Sequence, residues 1–161
     1  MSEMTPQELA EACAKKLWES DSASQRLGKK IERVAPGEAV LSMTVTEDMI
    51  NGHRIAHGGF IFTLADSAFA FACNNQNQST VAQHCAITFI KPGHLGDRLT
   101  AHARQVSQTG RSGIYDITIS REDGEVIAEF RGHSRSLGRP VLPEDEIGKK
   151  DEGSDTSQGQ P

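Results

Sequence analysis

Apolar residues recur at helical spacing from Gly58 to Cys73, with Ile61, Leu64, Ala65, Ala68, Phe69 and Ala72 on one face. Phe60, Phe62 and Phe71 fall elsewhere on the same helix and leave it little polar surface. The pattern predicts a largely buried helix that leaves an irregular loop, Glu47–Gly59, and runs to about Asn75 before the polar break Asn74–Ser79. Elsewhere the period is two. Ala39, Leu41, Met43 and Val45 alternate with mostly polar residues over Glu38–Thr46, after a Pro36-Gly37 turn, and Val81, Cys85, Ile87 and Phe89 alternate as far as Lys91-Pro92-Gly93. Three further strands are predicted over Arg98–Val106, Gly113–Ser120 and Val126–Ser136, joined by a turn containing Gly110 and by Glu122-Asp-Gly124. Before all of these, Thr5-Pro6-Gln7-Glu8 supplies a capping residue, a first-turn proline and an acid at the third helical position. An N-terminal helix therefore carries Leu9, Ala12, Cys13 and Leu17 inward and ends near Ser20–Ser22. One long apolar helix followed by an antiparallel meander makes an α+β fold, with a five- to six-stranded sheet wrapped around the helix.

Composition narrows the class. The 161 residues, 36% apolar with 15 Gly, make one domain of ordinary size. No apolar run reaches membrane-spanning length, and Met1-Ser-Glu-Met-Thr-Pro lacks the basic and hydrophobic regions of a secretion signal, so a cytoplasmic protein with no membrane partner is expected. Cys13, Cys73 and Cys85 are scattered without a CxxC pair, as buried thiols rather than a disulfide framework or metal site. Six acids and two lysines between Glu144 and Pro161 carry most of the net charge of −5, which leaves the body near neutral and without a nucleic-acid footprint. The expected division is an N-terminal helix over 1–22, a folded domain over 23–140 and an acidic, disordered tail over 141–161.

Asp66 is the one charged residue within the buried helix. It lies two turns inside, so it is no cap, and its helical neighbours Phe62, Thr63, Phe69 and Ala70 offer no cation. An unpaired carboxylate there costs several kcal/mol or takes a raised pKa, a state that clusters at active sites. A cation from a distant segment or a partner subunit is the structural alternative. At the head of the same helix, His57-Gly58-Gly59 offers unpaired backbone N–H groups and no side chains to block approach, a ready oxyanion site, although two glycines also simply permit tight packing. Together with Asp66 this suggests ester hydrolysis, with Asn51 to orient water or the carbonyl and His57 to fix the loop or donate a bond, each equally able to serve as a loop residue. No GxSxG elbow or P-loop is present, Cys73 lacks a cationic neighbour, and the spacing of His53 and His57 falls in a loop rather than on a metal-binding helix face.

The strings Asp21-Ser-Ala-Ser-Gln-Arg-Leu-Gly28, Met49-Ile-Asn-Gly-His53, Ala56-His-Gly-Gly-Phe-Ile-Phe-Thr-Leu-Ala-Asp-Ser67 and Phe89-Ile-Lys-Pro-Gly93 resemble the PaaI-type phenylacetic acid degradation thioesterases of the hotdog-fold superfamily, from about Asp21 to Leu137. The resemblance implies a hotdog fold and hydrolysis of phenylacetyl-CoA or its ring-hydroxylated forms, without metal or cofactor. It also implies a homotetramer, a dimer of dimers, with sites at the dimer interface. Carried over by position, Asp66 is the general base or nucleophile, Gly58 the oxyanion donor, and His57 and Asn51 place the thioester and water. Arg111, flanked by Gly110 and Ser112, and Lys91 resemble coenzyme A contacts. Where related enzymes carry a water-orienting Ser after the helix, this chain has Ala82, followed by Gln83 and His84. A hydratase or dehydratase using the same Asp/His pair, and a non-catalytic acyl-CoA-binding protein, are the rival expectations.

Overall fold

The computed structural model describes residues 3–147. Its long helix, α3 (Gly58–Cys73), lies against a six-stranded antiparallel sheet. In chain order the strands are β1 (Lys30–Ala35), β2 (Glu38–Thr44), β3 (Thr80–Phe89), β4 (Arg98–Thr109), β5 (Ser112–Ser120) and β6 (Val126–Ser136), arranged β1-β2-β4-β5-β6-β3. Two helices precede them, α1 (Pro6–Glu19) and the short α2 (Ser22–Arg26).

The sheet can close on α3 because small side chains lie beneath it. Ala39, Ala101, Ala103 and Ala128 are fully buried among Leu41, Leu99, Ile117 and Ile119, so the helix can approach the sheet closely. Phe69 fills the centre, with ring centroids 5.5 Å from Tyr115 and 6.1 Å from Phe130. On the other side of the core, Ala10, Cys13 and Ala14 of α1 are buried, and Trp18 packs on Phe71 of α3. The expected capping box of α1 is present, Thr5 Oγ1 accepting from Glu8 N and Glu8 accepting from Thr5 N.

Three features depart from the expectation. An additional strand, β1, pairs with β2; of its residues only Val34 is buried, so it carries no alternating signal. The polar break after α3 is not a solvated loop. Asn75 is fully buried, accepting from Gly37 N and donating to Ala35 O and Glu38 O, while Asn74 bonds Thr80 N, Thr80 O and Ala70 O. These two amides clamp the end of α3 to the β1–β2 hairpin and to β3, satisfying buried backbone groups that a helix end leaves open. Finally, β3 is a sheet edge, and although Cys85 and Ile87 turn toward the core, Val81 and Phe89 are about half exposed. The tail expected from residue 141 begins with a buried Leu142 and a short 3-10 turn, Glu144–Glu146, held by Lys16 to Glu146; residues 148–161 lie outside the described part. Among the described residues no helix is long and apolar enough to cross a membrane.

A tight fit against the central aromatic ring occurs at Gly132 on β6, where a Cβ would come within 2.7–2.9 Å of the Phe69 ring. Gly132→Ala is expected to destabilise the fold by about 1–3 kcal/mol, because the buried Phe69 ring, packed on Tyr115 and Phe130, must shift to admit the methyl group. Urea denaturation checks this; an unchanged midpoint would show that the helix and sheet slide apart at little cost.

Candidate active site

The loop before α3 is built to deliver its first turn. Ile50 and Ala56 form an antiparallel bridge, Asn51 N donates to Ile55 O, and Arg54 takes a left-handed φ of 63° to close the turn. Asn51 Oδ1 accepts from His53 N (2.9 Å) and Ile55 N (3.3 Å), so the carboxamide oxygen shapes the loop and the Nδ2 donors remain without a protein acceptor among the described residues. Met49 O then accepts from His57 N at 2.7 Å and Gly93 O from Ala56 N at 2.8 Å, pinning the loop to the core and to the β3–β4 connection.

His57 is the N-cap, and its Nδ1 accepts from Gly59 N at 2.9 Å. Its carbonyl accepts from Phe60 N. One donor of this first turn is left over: Gly58 N–H has no protein acceptor among the described residues. The ring of Phe89, half exposed at the end of β3, lies over Gly58 so closely that a Cβ there would stand 2.8 Å from Cζ. Glycine at 58 thus lets an aromatic wall stand directly beside a free backbone donor. His57 and Phe60 meet edge to face beside it.

Asp66 is half-buried, and its carboxylate makes no hydrogen bond or ion pair among the described residues. Burial pushes its pKa above the ordinary carboxylate range, and the charge of Lys29 offsets part of that rise. Two thiols share its surroundings. Burial holds Cys73 up at about 12 and raises Cys85 as well, with Asp66 adding to both. The cation is one that the helix itself does not supply: Lys29, in the α2–β1 connection, is 3% exposed and donates from Nζ to Ser67 Oγ, Thr63 Oγ1 and Thr63 O at 2.7, 2.9 and 3.0 Å. Sequence reasoning missed it, since Lys29 and the exposed Lys30 are adjacent and nothing in their order marks one for burial.

The candidate residues do not all meet within one chain. An α-helix rises about 1.5 Å per residue, so Gly58 and Asp66 stand roughly 12 Å apart along α3, too far to act on one carbonyl. Arg111 is at the opposite end of the sheet. Ser112 pairs with Arg135, which pairs with Val81, whereas Phe89, next to Gly58, pairs with Ala128 seven residues along β6, a distance of roughly 24 Å. Arg111 is exposed at a turn where Gly110 has a left-handed φ of 58°, its guanidinium lying against Gly138 and free of any carboxylate among the described residues. Ser112 Oγ accepts weakly from Arg135. Lys91 is at the Gly58 end of the sheet and is paired with Glu125.

Comparison with known proteins gives a consistent picture. The model of the thioesterase superfamily matches residues 53–128, which include His57, Gly58, Asp66 and Lys91. The acyl-coenzyme A thioesterase PaaI of Escherichia coli K12 is 44% identical over 128 residues, covering 80% of this chain and 91% of the relative. The solved E. coli PaaI structure, from the phenylacetic acid degradation operon, superposes with a TM-score of 0.83 at 42% identity, covering 84% of this chain and 99% of that one. PaaI from Thermus thermophilus, a phenylacetic acid degradation protein, gives 0.70 at 38% identity, covering 73% and 100%. A Streptococcus pneumoniae hypothetical thioesterase, solved with coenzyme A, gives 0.67 at 25% identity, covering 69% and 90%.

The raised pKa of Asp66 has a consequence for stability. An acid whose folded pKa exceeds its unfolded value favours folding at low pH and loses that contribution as pH rises through the folded pKa. Asp66→Asn, which removes the charge, should therefore raise stability at neutral pH and lose this advantage in acid. Thermal melts at both pH values check it, and a destabilised variant at neutral pH would mean that the carboxylate is held by a partner.

Proposed function

Because the chain belongs to the thioesterase superfamily, within the group of PaaI acyl-coenzyme A thioesterases, we propose that its reaction is hydrolysis of phenylacetyl-CoA or ring-hydroxylated phenylacetyl-CoA to the free acid and CoA. The observation that carries this reading is the presence on one apolar helix of an N–H at Gly58 and a carboxylate at Asp66 that both lack a hydrogen-bond partner among the described residues. The aryl preference is supported by the half-buried or exposed rings of Phe60, Phe62 and Phe89 near the donor, and by the relatives named for phenylacetic acid degradation.

Asp66 takes a proton from water as the water oxygen attacks the thioester carbon, and the charge developing on the carbonyl oxygen is received by Gly58 N–H. Breaking the C–S bond releases CoA as a thiolate, which recovers the proton from Asp66. A carboxylate whose pKa is raised by burial is a better base near neutral pH than an exposed one, and turnover should fall as pH drops through that raised value. Asn51 Nδ2 and His57 place the thioester and water.

The 12 Å rise between donor and base, roughly eight residues at 1.5 Å each, calls for two chains. In antiparallel α3 helices related by a two-fold axis the order reverses, so one chain's Gly58 stands beside the other's Asp66. The same operation, joining two β3 edges, covers an unpaired strand and brings the Arg111 end of one chain toward the Lys91 end of its partner. The assembly is a dimer of dimers, and Arg111, Gly110, Ser112 and Lys91 hold the CoA phosphates, Lys91 after exchanging Glu125 for the ligand.

Asp66→Asn is expected to lower turnover by at least about 10²-fold with little effect on substrate binding. Gly58→Pro removes the N–H at the first helical position, where proline is tolerated, and should cost about 10²–10³ relative to Gly58→Ala, which puts a similar Cβ against Phe89 but keeps the donor. When the two inactive variants, D66N and G58P, are refolded together, mixed dimers should regain activity. No recovery would place the whole site in one chain.

Arg111→Ala should raise KM for the CoA thioester and leave hydrolysis of a pantetheine thioester almost unchanged, since a charge-assisted contact of about 1.5–3 kcal/mol is lost only where phosphates exist. Equal losses on both substrates would make Arg111 a structural residue.

A further inference from the structure

Lys29 is a buried ammonium whose three hydrogen-bond acceptors are all neutral: Ser67 Oγ, Thr63 Oγ1 and Thr63 O, all on α3. Ser67 Oγ is also 3.2 Å from the hydroxyl of Ser24, itself 1% exposed, so the cluster is closed off from solvent on the α2 side. A cation removed from water needs a negative charge within reach as well as hydrogen bonds. Two carboxylates act on it. That of Asp21 already accepts from Ser24 N as the cap of α2, whereas that of Asp66 makes no bond among the described residues. Thr63 and Asp66 are three residues apart and thus neighbours on the helix surface, which brings the anchored ammonium alongside the free carboxylate.

From this geometry we propose that Lys29 is the positioning residue for Asp66: fastened to α3 by Thr63 and Ser67, its charge keeps the neighbouring carboxylate ionised for catalysis. The inference rests on Asp66 being the group that activates water. It resolves a conflict in the site. Burial raises the basicity of Asp66, which a base requires, but unopposed burial would also protonate it, and a protonated acid activates nothing. Lys29 supplies the opposing field from a fixed point without forming an ion pair that would occupy the carboxylate. Among the described residues the other titratable groups coupled to Asp66 are Cys85 on β3 and Cys73 on α3, whose raised thiols stay neutral and leave Lys29 as the charge acting on it.

The test is the pH profile of kcat/KM for wild type, Lys29→Gln, Lys29→Arg and Ser67→Ala, with a carbon-13 titration of the Asp66 carboxyl, assigned by its absence in Asp66→Asn. Lys29→Gln keeps a donor for Thr63 and Ser67 but no charge. It should move the acid limb to higher pH, losing at least about threefold more activity on that limb than on the plateau. Lys29→Arg should restore the limb, and Ser67→Ala should move it the same way by less. An unmoved acid limb in both Lys29→Gln and Ser67→Ala overturns the proposal, however far overall rate or stability falls; if Lys29→Gln does not fold, Ser67→Ala decides. Should Asp66→Asn remain active, the base has been misassigned, and the carboxyl titration still reads the coupling of the two residues. A titration unaffected by Lys29→Gln or Ser67→Ala removes that as well.

Discussion

A helix as apolar as α3 must be covered on more sides than one sheet can reach, and the rest of the molecule follows from how that cover is shared. The sheet takes the face carrying Ile61, Leu64, Ala65, Ala68, Phe69 and Ala72. α1 takes Phe71 through Trp18, and α2 with Lys29 takes Thr63 and Ser67. What remains half covered is a strip containing Phe62, Asp66 and Ala70, running back to the open end at Gly59. The reactive groups are thus confined to the one part of the helix that its own chain leaves unfinished, next to a sheet edge in the same condition. In the proposed dimer a second copy completes both at once, which ties the proposed chemistry to assembly.

The helix also fixes what each group can do. Its first turn presents several N–H groups, but His57 Nδ1 and His57 O consume those of Gly59 and Phe60. The cap therefore selects a single donor. Its glycine has no side chain to push Phe89 away, so the donor sits against an aromatic wall, and a hydrogen bond from it to an oxyanion, as proposed, is worth more there than in open water. The same loop is tied outward by Gly93 O and braced within by Met49 O and Asn51 Oδ1, which fixes the position of the donor. Preorganisation of this kind costs nothing at the moment of reaction.

Much of this was legible in the sequence. The apolar period of α3, the lone acid within it and the glycines at its head are strong signals because each contradicts what an ordinary buried helix needs. The alternation of β2 was equally clear, since one of its faces lies in the core, and the turns at Gly110 and Glu122-Asp-Gly124 marked off β4, β5 and β6. β1 was not, because an edge strand with a single buried side chain has no period to read, and its ion pairs from Glu32 and Arg33 look like any charged surface. Asn74 and Asn75 read as a loop because amides favour turns, yet their bonding capacity is what allows them to be buried at a helix end. Lys29 failed for the same reason in stronger form: composition ranks lysine among the least buried residues, and only the fold shows three acceptors converging on it.

These buried polar groups do not divide cleanly into structural and catalytic ones. Asn75 and Lys29 both fasten α3 to the β1 side of the fold through multiple hydrogen bonds, but the bonds of Asn75 are neutral, whereas Lys29 brings a charge whose effect extends past its bonded partners. Had the site needed only to be held, a second amide at position 29 would suffice and would avoid the cost of desolvating an ammonium. The chain instead carries a cation there, beside a carboxylate without a hydrogen bond among the described residues, and on the proposed reading this cost serves chemistry: the charge of the ammonium opposes the protonation that burial favours in the acid. The two desolvation costs partly cancel, and the proposed base has a proton affinity set between those of an exposed and an isolated buried carboxylate.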